Sequence, residues 1–131
     1  MFNIKSIFAL VLFLLTATAV LANETPQISQ QTLLTALHAS NTSIVVLDVR
    51  TKEEYAQGHI AGAINMSHET VEDNLAALSQ YKNSKVVVYC RSGRRAGLAE
   101  DVLTSNGFTN VIHLTGDMNG WLDAKLPVVS K

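Results

Sequence analysis

The densest chemistry in this 131-residue chain lies in six consecutive residues, Cys90-Arg-Ser-Gly-Arg-Arg95. Cys90 is the only cysteine, which excludes an internal disulfide and a Cys-rich zinc site. Three of the ten Lys/Arg residues, Arg91, Arg94 and Arg95, crowd that thiol. Nearby cations favour the thiolate, so its pKa is expected below the free value of about 8.5. Gly93 lets the backbone turn tightly and approach the sulfur. Loop N–H groups ahead of a helix would then make a cradle for anionic atoms. The spacing points to a nucleophilic thiolate that meets an anionic substrate. The plainer fate of a lone cysteine, a small hydrophobe at a strand end, leaves the arginines unexplained. For Arg94, a solvated position at the start of a helix is the plainer reading.

Such a loop needs a strand before it and a helix after it. Lys85-Val-Val-Val-Tyr89 is a β-branched run that feeds straight into Cys90, and a helix is predicted over 94–105, stopped by Asn106-Gly107. Upstream, Ser29 can cap a helix over 30–39 carrying Leu33, Leu34 and Leu37 on one stripe. Ile44-Val-Val-Leu47 predicts a strand covered on both faces. Thr51 and Glu54 form a capping box for a short helix ending near Gly58. His59 to Gly62 reads as a turn, Ala63-Ile-Asn65 as a short strand, and Val71, Leu75 and Leu78 as an amphipathic helix. Downstream, Val111-Ile-His-Leu114 is a strand, followed by Gly116 and a short helix with Trp121 and Leu122. Residues 23–27 read as a polar lead-in. Apolar strands alternating with helices imply an α/β domain with a parallel sheet and helices on both faces. In such a sheet, sites form at the carboxyl ends of strands, where Cys90 falls. Asp48 and Arg50 are expected to pair or cap, His59 to hydrogen-bond within its turn, and Trp121 to pack in the core. His38, His68 and His113 show no metal-ligand spacing.

The N-terminus reads as an address. Lys5 is the only charge before Glu24, and Ile7 to Leu15 is an unbroken apolar run. Small residues follow at Ala17-Thr-Ala19 and Val20-Leu-Ala22, the three-part pattern of a secretory signal peptide. Residues 1–22 are expected to be removed after Ala22, with Ala19 as the second site. The protein is then exported, to the periplasm in a bacterium and through the secretory route otherwise. An uncleaved leader would instead anchor it in a membrane. A formal net charge of −1 excludes a whole-surface nucleic-acid binder, and 16% charged residues with only two prolines argue against extensive disorder.

Three ordered motifs resemble those of rhodanese-like domains. Asp48-Val-Arg50, Glu54-Tyr55 and Gly58-His-Ile-Ala-Gly-Ala-Ile-Asn65 resemble the family's N-terminal signature. Cys90-x-x-Gly93-x-Arg95 resembles its active-site loop, and Leu114-Thr-Gly116 with Trp121 its C-terminal signature. The resemblance runs over roughly residues 28–128. It implies one three-layer α/β domain over 23–131 and sulfurtransferase chemistry. Cys90 would take the outer sulfur of a donor such as thiosulfate as a persulfide, and a thiol or cyanide acceptor would remove it. The amides of the loop through Ser92 and Gly93 would hold that sulfur, with Arg91 and Arg95 orienting the donor and Arg94 nearby. No metal or organic cofactor is implied, and a monomer is expected. One difference from the family pattern is Gly116-Asp117, where members usually carry Gly-Gly.

Two other functions suit parts of the pattern. A phosphatase or arsenate reductase also uses a cysteine in an arginine-closed cradle, but tyrosine phosphatases place five residues between Cys and Arg. Here Arg95 follows Cys90 after four, and Tyr89 stands where those enzymes have His. A persulfide carrier or binding module with no thiosulfate turnover of its own would keep the same cysteine.

Overall fold

The β-branched runs become strands and the capped segments become helices. The computed structural model describes residues 24–39 and 43–131; the expected leader over 1–22 and both its cleavage sites lie outside them. In chain order the elements are β1 (Gln27–Ile28), α1 (Gln30–His38), β2 (Ile44–Asp48), α2 (Lys52–Gln57), β3 (Ile64–Asn65), α3 (Leu75–Leu78), β4 (Lys85–Tyr89), α4 (Arg94–Ser105), β5 (Val111–Leu114) and α5 (Asp117–Asp123). Ser29 caps α1 by accepting the Thr32 N–H, and Thr51 and Glu54 make the reciprocal capping box of α2. Among the described residues no helix is long and apolar enough to cross a membrane.

The five strands form one sheet in the order β1-β5-β4-β2-β3, with every strand pair parallel. β4 is central, and its register sets Tyr89 beside Asp48 of β2. Alternation along each strand sorts side chains between two cores. Val86, Val88 and Cys90 join Leu47, Val49, Ala96, Ala99 and Leu103 on the α4 side. Val87 and Tyr89 join Leu33, Val46, Met118 and Trp121 on the other. Both faces are covered by helices, which makes the three-layer α/β domain. The period of two thus sends Cys90 to the α4 face.

Two elements differ from expectation. The polar lead-in contributes an edge strand: β1 pairs with β5, and the His113 N–H donates to the Pro26 carbonyl at 2.8 Å. Two residues are too few to show an apolar period. The helix expected around Val71, Leu75 and Leu78 is broken into 3₁₀ turns at 68–70, 72–74 and 79–81 with only α3 between them. Thr70 Oγ1 donates to the Ser67 carbonyl and Asn74 Nδ2 to the Thr70 carbonyl, side-chain bonds that compete with the helical ladder. Val71 and Leu78 are nevertheless buried, so the apolar spacing served packing without a continuous helix.

Candidate active site

β4 ends at Tyr89 and α4 begins at Arg94, so residues 90–93 are a loop at the carboxyl end of the central strand. Gly93 has φ 118° and ψ −24°, a backbone that side chains with a Cβ rarely adopt. That turn aims the Gly93 N–H at Cys90 Sγ, 3.0 Å away. Cys90 is 1% exposed, and its peptide is held on both sides by the start of α5. Its N–H donates to Asp117 Oδ1 at 2.9 Å, and its carbonyl accepts from the Met118 N–H at 3.0 Å. The Arg91 carbonyl accepts from the Asn119 N–H at 3.1 Å.

The arginines separate into three environments. Arg91 and Arg94 are exposed, as is Ser92, and Arg91 lines a cleft of about 370 Å³ with Arg50, Glu54, Gln57, Leu122 and Val128. Arg95 is committed elsewhere: its guanidinium grips Glu54 through two bonds of 2.6 and 3.1 Å. Those bonds hold the Glu54 carboxyl down at about 2 and push Arg95 further up. Arg95 thereby ties α4 to α2, a role that the sequence reading did not assign to it. A larger cavity of about 520 Å³ is lined by Leu34, Leu37, Ile44, Ile60, Trp121 and Val129 among others, and by neither a thiol nor an arginine. Its lining is apolar except for His38 and Tyr81, and none of residues 90–95 takes part in it.

Asp48 and Arg50 pair as expected. Asp48 is fully buried and accepts from Arg50 Nη2 at 2.6 Å, from the Arg50 N–H at 2.9 Å and from the Tyr89 hydroxyl at 2.7 Å. Tyr89 in turn accepts the Ile60 N–H, and Arg50 Nη2 also donates to the Gly58 carbonyl at 2.8 Å. Burial, followed by the Asp48 charge, pushes the Tyr89 phenol strongly up, so it stays a neutral donor. This network clamps the ends of β2 and β4 to the 58–60 turn, directly behind the loop. His59 Nδ1 lies 2.8 Å from the Tyr55 carbonyl, and its ring stacks on Tyr55 with centroids 3.6 Å apart. Trp121 is fully buried and donates to the Pro127 carbonyl.

One constellation escaped the sequence reading. Asp117 Oδ2 lies 2.9 Å from His113 Nε2, and His113 Nδ1 lies 2.7 Å from Glu100 Oε1. An imidazole with a carboxylate at each nitrogen carries both protons, and the bonds to Asp117 and then Glu100 push His113 up to about 10. Glu100 and Asp117 are each 2% exposed. Asp117 has φ 53°, unusual for a residue other than glycine. The available signal was Asp117 itself, an acid after Gly116 where the family pattern has a second glycine. His38 and His68 are not drawn into the site, and among the described residues no His/Cys/Asp/Glu group fits a metal ion.

The rhodanese-like domain profile matches residues 29–124. The thiosulfate sulfurtransferase PspE of Escherichia coli K12 is 40% identical over 70 residues, covering 53% of this chain and 67% of that protein. The putative sulfur carrier protein YrkF of Bacillus subtilis is 34% identical over 82 residues, covering 63% of this chain and 43% of that one. Among solved structures, the rhodanese-like domain of the Anabaena sp. Alr3790 protein superposes with a TM-score of 0.72 at 30% identity, covering 82% of this chain and 81% of that chain.

Proposed function

The chain belongs to the rhodanese-like family, and from that premise we propose that it is a sulfurtransferase that turns over thiosulfate or a similar anionic donor through a Cys90 persulfide. The carrying observation is the Gly93 N–H 3.0 Å from Cys90 Sγ, a donor aimed at the atom that must hold negative charge. The Cys90 thiolate attacks the outer sulfur of thiosulfate. Its S–S bond breaks, sulfite leaves with the electron pair, and the persulfide's outer sulfur remains. An acceptor thiolate or cyanide attacks that outer sulfur and returns Cys90 as a thiolate. Arg91, exposed on the cleft, supplies the charge that draws the donor. Arg95 stays beside the loop but shares its charge with Glu54.

Mass spectrometry after thiosulfate treatment tests the reading: wild type gains one sulfur and Cys90→Ser gains none, with turnover lost and the fold retained. Turnover by Cys90→Ser overturns it. A persulfide-carrying wild type with no catalytic turnover supports instead a carrier, the role that the name of YrkF suggests for that protein.

Export completes the reading, supported by Lys5, the apolar run and the small-residue exits. N-terminal sequencing of protein from the periplasm or medium is expected to begin at Asn23. A start at Met1 in a membrane fraction makes it an anchored domain.

A further inference from the structure

We propose that Asp117 is a positioning residue for sulfur transfer: its carboxylate fixes the Cys90 peptide, and His113, itself held by Glu100, fixes that carboxylate. The proposal rests on the Cys90 reading above but stands on its own geometry. Both polar groups of the Cys90 peptide end on residues 117 and 118: the N–H on Asp117 Oδ1 and the carbonyl on the Met118 N–H. The orientation of Sγ is therefore set from α5, an element that the reacting thiol does not belong to.

Three further observations place Asp117 in this role. Its backbone sits at φ 53°, a left-handed conformation that besides glycine mainly Asp and Asn adopt, helped by local hydrogen bonds of their short polar side chains. Its second oxygen does not face water but His113 at 2.9 Å, so neither end of the carboxylate is free to turn. It also underlies the Gly93 turn, since a Cβ on Gly93 would stand 3.2 Å from Asp117 Oδ2. The same carboxylate thus binds the Cys90 N–H at one end of the loop and occupies the space that a side chain on Gly93 would need at the other. The groups facing His113 are Glu100 of α4 and Asp117 of α5, and the open cleft over the ring adds Glu24 and Asp101. All four are acids, so the ring stays charged through the neutral range.

Two substitutions separate the anchor from the charge. Asp117→Gly suits the backbone, so it folds, but it removes the acceptor from the Cys90 N–H. Asp117→Asn tolerates the same backbone and keeps an oxygen for that N–H, while its amide N–H₂ donates to His113 Nε2 and makes the ring neutral. For Asp117→Gly the expected kcat with thiosulfate falls roughly ten- to a hundredfold, the loss of one charged hydrogen bond, with KM unchanged because Asp117 is buried and does not line the cleft that holds Arg91. Asp117→Asn restores kcat to within about threefold, a smaller loss than one neutral hydrogen bond. By NMR the His113 imidazole is expected to titrate far lower in Asp117→Asn than in wild type, where the two carboxylates push it up to about 10. Alkylation of Cys90 by iodoacetamide adds a readout independent of sulfur transfer. Its pH profile moves to lower pH in Asp117→Gly, where one negative charge behind the loop is lost. In Asp117→Asn it stays in place, because acid and imidazolium are neutralised together. Wild-type kcat and alkylation in Asp117→Gly, or equal damage in both variants, overturn the positioning role. A wild type that never takes up sulfur would overturn the Cys90 function alone, and the alkylation profiles would still decide the role of Asp117.

Discussion

Gly93→Ala tests the geometry of the loop most directly. At φ 118° the new Cβ strains the backbone by about 1–3 kcal/mol. The same Cβ lands 3.2 Å from Asp117 Oδ2 and 3.8 Å from two atoms of the His113 ring. A flexible neighbour would move aside by a few tenths of an ångström. Asp117 cannot do so cheaply, because its two oxygens are held by the Cys90 N–H and by His113. Weakening one such charged bond adds about 1–2 kcal/mol. The expected destabilisation is therefore about 2–5 kcal/mol, read as a lower urea midpoint at unchanged slope. Relaxing the turn also swings the Gly93 N–H off Sγ, so kcat/KM for thiosulfate falls at least roughly tenfold in the protein that remains folded. Alanine has no polar atom and fills little space, so neither loss comes from a new chemical group. A variant within about 0.5 kcal/mol of wild type, with full turnover, would refute both the strained turn and the amide's part in holding the sulfur.

The arginines are expected to rank by environment. Arg91→Ala lowers kcat/KM for thiosulfate roughly ten- to a hundredfold, Arg94→Ala has little effect, and Arg95→Ala combines a smaller kinetic loss with about 1 kcal/mol or less of stability from its partly exposed ion pair. Steady-state kinetics and urea melts on the three variants check the order, and an Arg94→Ala loss matching that of Arg91→Ala would refute it. The pH dependence of stability has two limbs. Glu54 is held at about 2, below its ordinary 4.5, so its contribution is present above pH 4.5 and is lost as pH falls towards 2. His113 is raised to about 10 from 6.5, so its contribution is present below pH 6.5 and is lost as pH rises through 10. Urea midpoints across pH should show Glu54→Gln flattening the acid limb and His113→Gln the basic one; unaltered limbs would refute the pairings.

Local interactions made much of this protein legible in its sequence. The valine run of β4, the capping box of Thr51 and Glu54 and the glycine turn after Cys90 each depend on residues only a few positions apart, so their side chains declare them. A parallel α/β order then requires the loop, and Cys90 with it, to lie at the carboxyl end of a strand. The partners of the loop were decided only by tertiary structure. Arg95 meets Glu54 across 41 positions, and Cys90 meets Asp117 across 27. Both contacts exist because the strand order β1-β5-β4-β2-β3 sets the ends of β2 and β5 on either side of β4. Residue types announce that an arginine or an acid will seek a partner, but not which one. That choice depends on which chain ends the sheet brings within hydrogen-bonding distance, and a hydrogen bond reaches only about 3 Å.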